Sequence, residues 1–171
     1  RKKVTAVHKA NVVRATDGLF LSIAKEIAQE YPEIEFDDAN VDSFCMWVLK
    51  NPEKFDVVVA PNLYGDIISD LVSQMVGGLG FAASGNIGDN YALFEPVHGS
   101  APKYAGQYKV NPIAAILASK MMLDWLGEVE LADKIYKAVE SVIAEGKVRT
   151  YDMGGDASTL DMAEAIASKI K

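Results

Sequence analysis

The stretch FDVVVAPNLYGDIISD, residues 55–70, passes from an apolar run into a mixed polar and apolar pattern across one proline. Its first part, FDVVVA at residues 55–60, is typical of a strand buried in a parallel sheet. Its second part opens YGDIISDLVSQMV at residues 64–76, where apolar residues recur at helical spacing. A buried strand that leads directly into a helix is the unit from which α/β folds are built.

The same alternation of strand and helix patterns continues along the chain on both sides of this stretch. In the first predicted helix, Leu19, Ile23 and Ile27 recur every four residues. A segment rich in Gly, Ala and Ser at residues 77–88 interrupts the alternation, so we place a domain boundary near Val76. The predicted strands span residues 3–9, 33–38, 55–60 and 90–96, and the predicted helices span residues 15–32, 40–52, 64–76, 113–127, 129–146 and 157–170. The fold class is therefore predicted to be α/β.

Composition excludes several classes of protein. Half of the 171 residues are hydrophobic, the net charge is −7 and the pI is about 4.8, which argues against nucleic acid as a partner. We find no membrane-length apolar run and no signal-peptide pattern, so we expect no membrane association. The single cysteine, Cys45, is typical of a reducing compartment, and we expect a cytoplasmic location. Because the chain opens RKKVTAVHK without Met, we expect that Arg1 is not the natural start.

Two aspartates in the central helix carry the first candidate chemistry. Asp66 and Asp70 are four residues apart, which places both carboxylates on one face of a helix. Two carboxylates are a common protein contribution to a Mg²⁺ site, and Asp42 on the preceding helix could supply a third. The plainer alternative, a solvated helix face, remains open at this point, because such pairs are common.

The long segment VHGSAPKYAGQYKVNP, residues 97–112, is a second candidate, because long ordered loops are often functional. His98 and Gly99 could let the backbone approach a ligand, and Lys103 with Tyr104 could bind a phosphate. An ordinary surface connection is an equally good interpretation of the loop alone. No G-x-G-x-x-G pattern follows a strand, so the usual dinucleotide fingerprint is absent from the sequence.

Lys9 ends an apolar strand pattern in the segment VHKANVV and is a third candidate. A partly buried lysine can act as a base, because burial disfavours its charged form. A surface lysine at a strand end is the alternative. We expect His8 to be a packed or capping residue, since no second His or Cys stands at ligand spacing from it.

Four segments, in this order and spacing, resemble the β-decarboxylating dehydrogenases of the isocitrate and isopropylmalate type. They are HKANV (8–12), NLYGDIISD (62–70), GGLGFAASGNIGD (77–89) and ALFEPVHGSAPKYAGQYKVNP (92–112). The resemblance covers nearly the whole chain and implies a two-domain α/β fold that is not the Rossmann fold. This chain would be its second half. Residues 1–76 would continue the smaller, dimer-forming domain, and residues 77–171 would complete the larger, cofactor-binding domain.

The resemblance also implies roles for the candidate residues. Asp66 and Asp70 would be Mg²⁺ or Mn²⁺ ligands, and Asp42 would reach the same site from the neighbouring subunit of a homodimer. Lys9 would be the catalytic lysine, also contributed across the dimer, and would act as a base through water or Asp42. Asn11 would contact the substrate and the nicotinamide.

The cofactor is implied by the second half of the chain. The residues that match the family's cofactor contacts are Glu95, His98, Gly99, Val110 and Asn111, with Asn111 near the adenine. Lys103, Tyr104 and Tyr151 match members that read the 2′-phosphate of NADP. However, Gly155 stands where strong NADP enzymes carry an arginine, so NAD remains possible.

The activity implied by the resemblance is metal-dependent oxidative decarboxylation of a malate-type 2-hydroxy acid. The amino-acid sequence of the cofactor loop most resembles that of isocitrate enzymes, so isocitrate is the favoured substrate. It would give 2-oxoglutarate with reduction of NADP or NAD. Substrates of the 3-isopropylmalate, homoisocitrate and tartrate type stay open, because the family's substrate arginines precede the equivalent of Arg1. A non-catalytic subunit of such an enzyme is the alternative from another class, but such subunits tend to lose the lysine or the metal carboxylates.

Overall fold

The structure is a computed structural model that describes residues 1–170. The chain divides into two compact units, one from Arg1 to Met75 and a second that begins at Val76. The predicted α/β class is confirmed: a parallel sheet with helices forms the first unit, and a hairpin with helices forms the second. The assignment of the two units to a smaller dimer-forming and a larger cofactor-binding domain stays a prediction.

The first unit contains three strands that alternate with three helices. They are β1 (Lys3–His8), α1 (Thr16–Ala28), β2 (Glu35–Asn40), α2 (Val41–Lys50), β3 (Val57–Val59) and α3 (Asn62–Met75). All pairing is parallel, in the order β2-β1-β3. The register of β1 against β2 runs from Lys3 opposite Glu35 to His8 opposite Asn40.

The central position of β1 explains where the core of this unit lies. The chain moves from β1 to one neighbour through α1 and then returns across β1 to the other neighbour through α2. Because parallel crossovers are right-handed, such a reversal puts the helices on opposite faces of the sheet. Val7 accordingly packs with α2 and α3 in a buried cluster with Phe44, Val48 and Ile68.

The opposite face of the sheet differs from the sequence expectation. Residues 55–60 were expected to form a buried strand, but β3 has only three residues, lies at the sheet edge and leaves Val57 and Val59 exposed. The stripe Leu19, Ile23 and Ile27 of α1 is also exposed. Ile23, Ile27 and Val59 line an open apolar groove of about 390 Å³ between α1 and the sheet, and no described residue fills it.

The second unit is a hairpin packed against helices. Its elements are β4 (Ala83–Ile87), β5 (Ala92–Pro96), α4 (Ile113–Trp125), α5 (Val129–Glu145) and α6 (Thr159–Ala167). Strand β4 was not predicted, because its sequence ASGNI has low strand propensity. It forms because it pairs antiparallel with β5 and because Gly85 leaves room for Phe94, whose ring would lie 3.0 Å from a Cβ at that position.

The core of the second unit is built from α4, α5 and α6. Its buried residues are Ile113, Ala138, Val139, Val142, Met162 and Ile166. Helix α5 ends at Gly146, whose φ of 61° is the left-handed conformation of a helix C-terminus. Four short 3₁₀ turns complete the described chain: Pro52–Lys54, Leu79–Phe81, Pro102–Tyr104 and Tyr151–Met153. No helix within residues 1–170 combines the length and the apolar character needed to cross a membrane.

Candidate functional site

The carboxyl ends of the parallel strands bring the candidate residues of the first unit to one edge of the sheet. Lys9 directly follows β1, and Asp42 is the second residue of α2, which begins where β2 ends. Helix α3 starts three residues after β3. The order of strands reverses at β1, and such a switch point is where open parallel sheets bind their ligands.

Lys9 and Asp42 meet at this edge. The Nζ of Lys9 lies 2.5 Å from Oδ1 of Asp42. The side chain of Lys9 is 23% exposed and that of Asp42 is 66% exposed, so the pair joins a partly buried ammonium to a solvent-facing carboxylate. The hydrogen bond from Lys9 is the main cause that lowers the pKa of Asp42 below its ordinary value. Asp42 is therefore ionised at neutral pH.

The residues before and after Lys9 are held by side chains. His8 is buried, and its Nε2 lies 3.0 Å from Asp38 while its Nδ1 accepts the N–H of Ala10 at 3.0 Å. This is the packed, capping role that the sequence predicted for His8. The backbone N–H of Lys9 donates to the carboxylate of Asp17 at 2.7 Å.

Asp66 and Asp70 lie one turn apart on α3, and both are exposed. None of the ion pairs formed among residues 1–170 involves either of them. Two carboxylates without a cationic partner fit a hard divalent cation. In the described part of the chain, however, no three His, Cys, Asp or Glu side chains gather for a metal. Asp42 is therefore not a third ligand from the same chain, because its carboxylate is turned to Lys9.

The candidate cofactor residues of the second unit form a cluster of cations and tyrosine rings. The rings of Tyr104 and Tyr151 lie 5.7 Å apart. Lys103 Nζ is 4.8 Å from the ring centre of Tyr104. Lys109 Nζ is 5.4 Å from the ring of Tyr104 and 5.1 Å from that of Tyr151. Neither lysine belongs to an ion pair within residues 1–170, so the cluster suits an anionic group.

The loop that contains Lys103, Tyr104 and Lys109 is hydrogen-bonded to the start of α6 near its C-terminal end. Thr159, the first residue of α6, donates its N–H to the carbonyl of Tyr108 at 2.7 Å and its hydroxyl to the carbonyl of Val110 at 2.5 Å. Beside these contacts lies a cavity of about 330 Å³, which Tyr104 and Lys109 help to line. Tyr108 itself adopts a left-handed φ of 47°, a strained state for a residue other than glycine.

Asn111 is 2% exposed, and both ends of its amide are used inside the protein. Its Nδ2 donates to Oδ2 of Asp152 at 3.0 Å, and its Oδ1 accepts the N–H of Ile113 at 3.0 Å. Asp152 is held in turn by the hydroxyl of Thr150 at 2.5 Å. The side-chain amide of Asn111 is thus not free to contact an adenine.

The remaining predicted residues are exposed or half-buried. Glu95 lies on β5 and accepts a hydrogen bond from Asn86 at 3.3 Å. His98 donates from Nδ1 to the carbonyl of Gly99 at 2.9 Å, and open space surrounds Gly99 where a side chain would stand. Asn11 is exposed in the turn after β1.

Gly155 lies against the chain rather than at an open position. A Cβ at Gly155 would lie 2.1 Å from the carbonyl oxygen of Arg149. The site therefore excludes any side chain with this backbone, which gives a physical reason for the glycine where strong NADP enzymes carry arginine.

Three residues with roles in these clusters escaped the sequence analysis. The sequence analysis singles out none of Lys109, Asp17 and Asp152, although the spacing of Lys109 from Lys103 within a short loop is a usable signal. Asp17 contacts Lys9, which is 8 residues away, and Asp152 contacts Asn111, which is 41 residues away. No local sequence pattern reveals these two contacts.

Comparisons with known proteins identify the family of the chain. The family model described as isocitrate/isopropylmalate dehydrogenase matches residues 1–166. The isocitrate/homoisocitrate dehydrogenase of Thermus thermophilus is 52% identical over 171 residues, which are 100% of this chain and 51% of that protein. The mitochondrial NAD isocitrate dehydrogenase catalytic subunit 5 of Arabidopsis thaliana is 50% identical and is matched over 99% of this chain and 46% of its own length.

A solved structure gives the same result. The crystal structure of isocitrate dehydrogenase from Methylococcus capsulatus superposes with a TM-score of 0.95 at 51% sequence identity, and the match covers 99% of this chain and 51% of that one. The chain thus spans about half the length of the relatives it matches. By its sequence and by its fold, the chain belongs to the isocitrate/isopropylmalate dehydrogenase family.

Proposed function

We propose that the protein is a metal-dependent β-decarboxylating dehydrogenase, and that this chain is the second half of the enzyme. The proposed reaction is oxidative decarboxylation of a malate-type 2-hydroxy acid, with isocitrate as the first choice of substrate. The observation that carries the proposal is the ion pair of Lys9 and Asp42, 2.5 Å apart. It lies at the edge of the sheet near which α3, the helix that contains Asp66 and Asp70, begins. Homoisocitrate and 3-isopropylmalate stay as alternatives, since the family includes enzymes for all three.

The Lys9–Asp42 pair supplies the proton chemistry. The Lys9 ammonium would first give a proton to Asp42, whose exposed carboxylate releases it to solvent, and the neutral Lys9 amine would then accept the proton of the substrate hydroxyl. Asp66 and Asp70 are the residues that would hold Mg²⁺ or Mn²⁺ and so orient the hydroxy acid. When bound, the cation would polarise the substrate's 2-oxygen and the nicotinamide would supply the hydride acceptor.

The cofactor is proposed to be NADP, with NAD as the alternative. Lys103, Tyr104 and Tyr151 support NADP, and Lys109 adds a second ammonium group beside both rings. Partial burial raises the pKa of the Tyr151 hydroxyl, with Tyr104 adding to the effect, so this hydroxyl stays a hydrogen-bond donor at neutral pH. Gly155 and the NAD-named Arabidopsis relative favour NAD.

We further propose that the enzyme is a homodimer with shared sites. Asp42 does not join Asp66 and Asp70 in one chain, so a second copy is the proposed source of the third carboxylate. Exposed Leu63 and Ile67 support this idea, because they lie beside the two aspartates on α3 and would be covered by a partner. The cytoplasmic location stays a prediction, since the name of the Arabidopsis relative places that protein in mitochondria.

The non-catalytic subunit is the second candidate function. It is disfavoured because Lys9, Asp42, Asp66 and Asp70 are all present and the first two are paired. Turnover by the purified protein separates the two functions.

The test uses the full-length protein with Mn²⁺ and either NADP or NAD. Isocitrate, homoisocitrate and 3-isopropylmalate are supplied in turn, and reduced nicotinamide is followed by its absorbance. We expect one acid to be oxidised, and we expect Lys9→Met to lower kcat by roughly 10²–10⁴-fold, the usual contribution of a general base. Lys147→Met, which removes a lysine far from the sheet edge in sequence, is the control. No reduction with any acid would refute the enzyme and favour the non-catalytic subunit.

A further inference from the structure

Asp17 is a buried carboxylate that the proposed reaction does not use. It is 7% exposed and lies in the first turn of α1. Among residues 1–170 it forms no ion pair, so its burial is supported by hydrogen bonds alone. A carboxylate is rarely buried without a partner, because desolvation disfavours its charge. What Asp17 contacts therefore indicates why it lies there.

The strongest contact of Asp17 is with the main chain of Lys9. The ladder between β1 and β2 ends at His8, so the N–H of Lys9 has no partner in the sheet. Oδ2 of Asp17 accepts this N–H at 2.7 Å. The carbonyl of Lys9 accepts the N–H groups of Val12 and Val13 at 2.9 and 2.8 Å. Both backbone groups of the proposed catalytic lysine are thereby fixed, and Asp17 supplies the only side chain in this arrangement.

We propose that Asp17 is a positioning residue, which holds the backbone of Lys9 at the end of β1 so that the lysine Nζ stays in place for proton transfer. The proposal rests on the proposed function. Its physical reason is that an unpaired N–H at Lys9 would turn toward another acceptor and carry the side chain with it. A displacement of about 1 Å in a reacting group can cost on the order of 100-fold in rate.

Two substitutions at Asp17 separate geometry from charge. Asp17→Asn removes the charge but keeps an oxygen that can accept the N–H of Lys9, and we expect its kcat to stay within about threefold of wild type. Asp17→Ala removes the acceptor, and we expect kcat to fall roughly 10- to 100-fold. The KM for the nicotinamide cofactor should change much less than kcat in both. If Asp17→Ala does not fold, Asp17→Leu, which also has no acceptor atom, replaces it with the same expected loss.

Asp161→Ala is the matched control. Asp161 is also a first-turn carboxylate that accepts a backbone N–H, that of Ser158 at 2.8 Å, but it belongs to α6 of the other unit. Its loss should lower stability without a tenfold change of kcat. Equal kcat losses in Asp17→Ala and the control would show that Asp17 serves only the fold, and would overturn the proposal.

Amide hydrogen exchange at Lys9 supplies a readout that needs neither metal nor cofactor. We expect exchange to be at least tenfold faster in Asp17→Ala and unchanged in Asp17→Asn. Unchanged exchange in Asp17→Ala, or a loss of kcat in Asp17→Asn as large as in Asp17→Ala, would refute the positioning role. If the wild type oxidises none of the acids, the proposed function fails instead. The exchange rates alone then test whether Asp17 holds the N–H of Lys9.

Discussion

Gly155 allows the sharpest stability prediction, because its neighbourhood admits no side chain. In Gly155→Ala, the new Cβ would lie 2.1 Å from the carbonyl oxygen of Arg149 and 2.6 Å from its Cβ. A carbon and an oxygen that are not bonded normally approach to about 3.3 Å. The loop must therefore move by roughly 1 Å.

Two backbone hydrogen bonds oppose this movement. Gly155 donates its N–H to the carbonyl of Thr150 at 3.0 Å, and Ala157 donates to the carbonyl of Arg149 at 2.9 Å. A shift of this size breaks both, and each contributes about 0.5–1.5 kcal/mol, so Gly155→Ala should cost about 1–3 kcal/mol of unfolding free energy. The same shift would displace Tyr151, which lies within the loop.

The assay is urea unfolding of the full-length protein, together with titration of adenosine 2′,5′-bisphosphate against AMP. Gly18→Ala is the control, because it adds a methyl group in α1 with no atom within 4 Å and should stabilise by about 0.5–1 kcal/mol. Gly155→Arg should weaken both nucleotides rather than raise the preference for the bisphosphate. An unfolding free energy of Gly155→Ala within about 0.5 kcal/mol of wild type would refute the close approach.

Three further predictions concern the metal, the cofactor and a helix cap. Asp66→Asn should sharply weaken Mn²⁺ binding measured by calorimetry, whereas Asp161→Asn, the control for loss of one charge, should not. An unchanged Mn²⁺ affinity in Asp66→Asn would count against the metal site. Lys103→Asp should shift preference from NADP toward NAD by roughly 10- to 100-fold, since a charge-assisted bond contributes about 1.5–3 kcal/mol, while Lys147→Asp should not. Ser158→Ala should cost about 1 kcal/mol in thermal unfolding, because the Ser158 hydroxyl caps α6. The hydrogen bond from Ser158 lowers the pKa of Asp161, so their interaction is present above about pH 4 and is lost as pH falls through the lowered pKa, and the effect of Ser158→Ala should shrink in acid.

Local spacing carried much of what the sequence predicted correctly. The alternation of apolar strands with periodic helices is a property of short segments, so it predicted the α/β class and nearly every element. Asp66 and Asp70 share a helix face because four residues make about one turn, whatever surrounds the helix. The motifs from HKANV to KVNP also indicated the family, because each is a short contiguous segment that can be recognised without knowledge of the fold.

Some errors in the elements have a tertiary cause. Strand β4 has a weak strand sequence and exists because β5 pairs with it and Phe94 packs over Gly85. The apolar stripe of α1 predicted a helix correctly, but apolar character does not say which side is covered within this chain. Leu19, for example, is exposed.

The arrangement of the candidate site was decided by tertiary structure. Lys9 and Asp42 are 33 residues apart and meet because β1 pairs with β2 in one register. The contact of Asp17 with Lys9 depends on the turn that leads into α1, and the exclusion of side chains at Gly155 depends on the path of the loop around it. The sequence by itself determined which chemical groups are present and how they are spaced along each helix or strand. Which groups touch depends on strand register and loop closure, which arise from the packing of distant segments and leave no local pattern in the sequence.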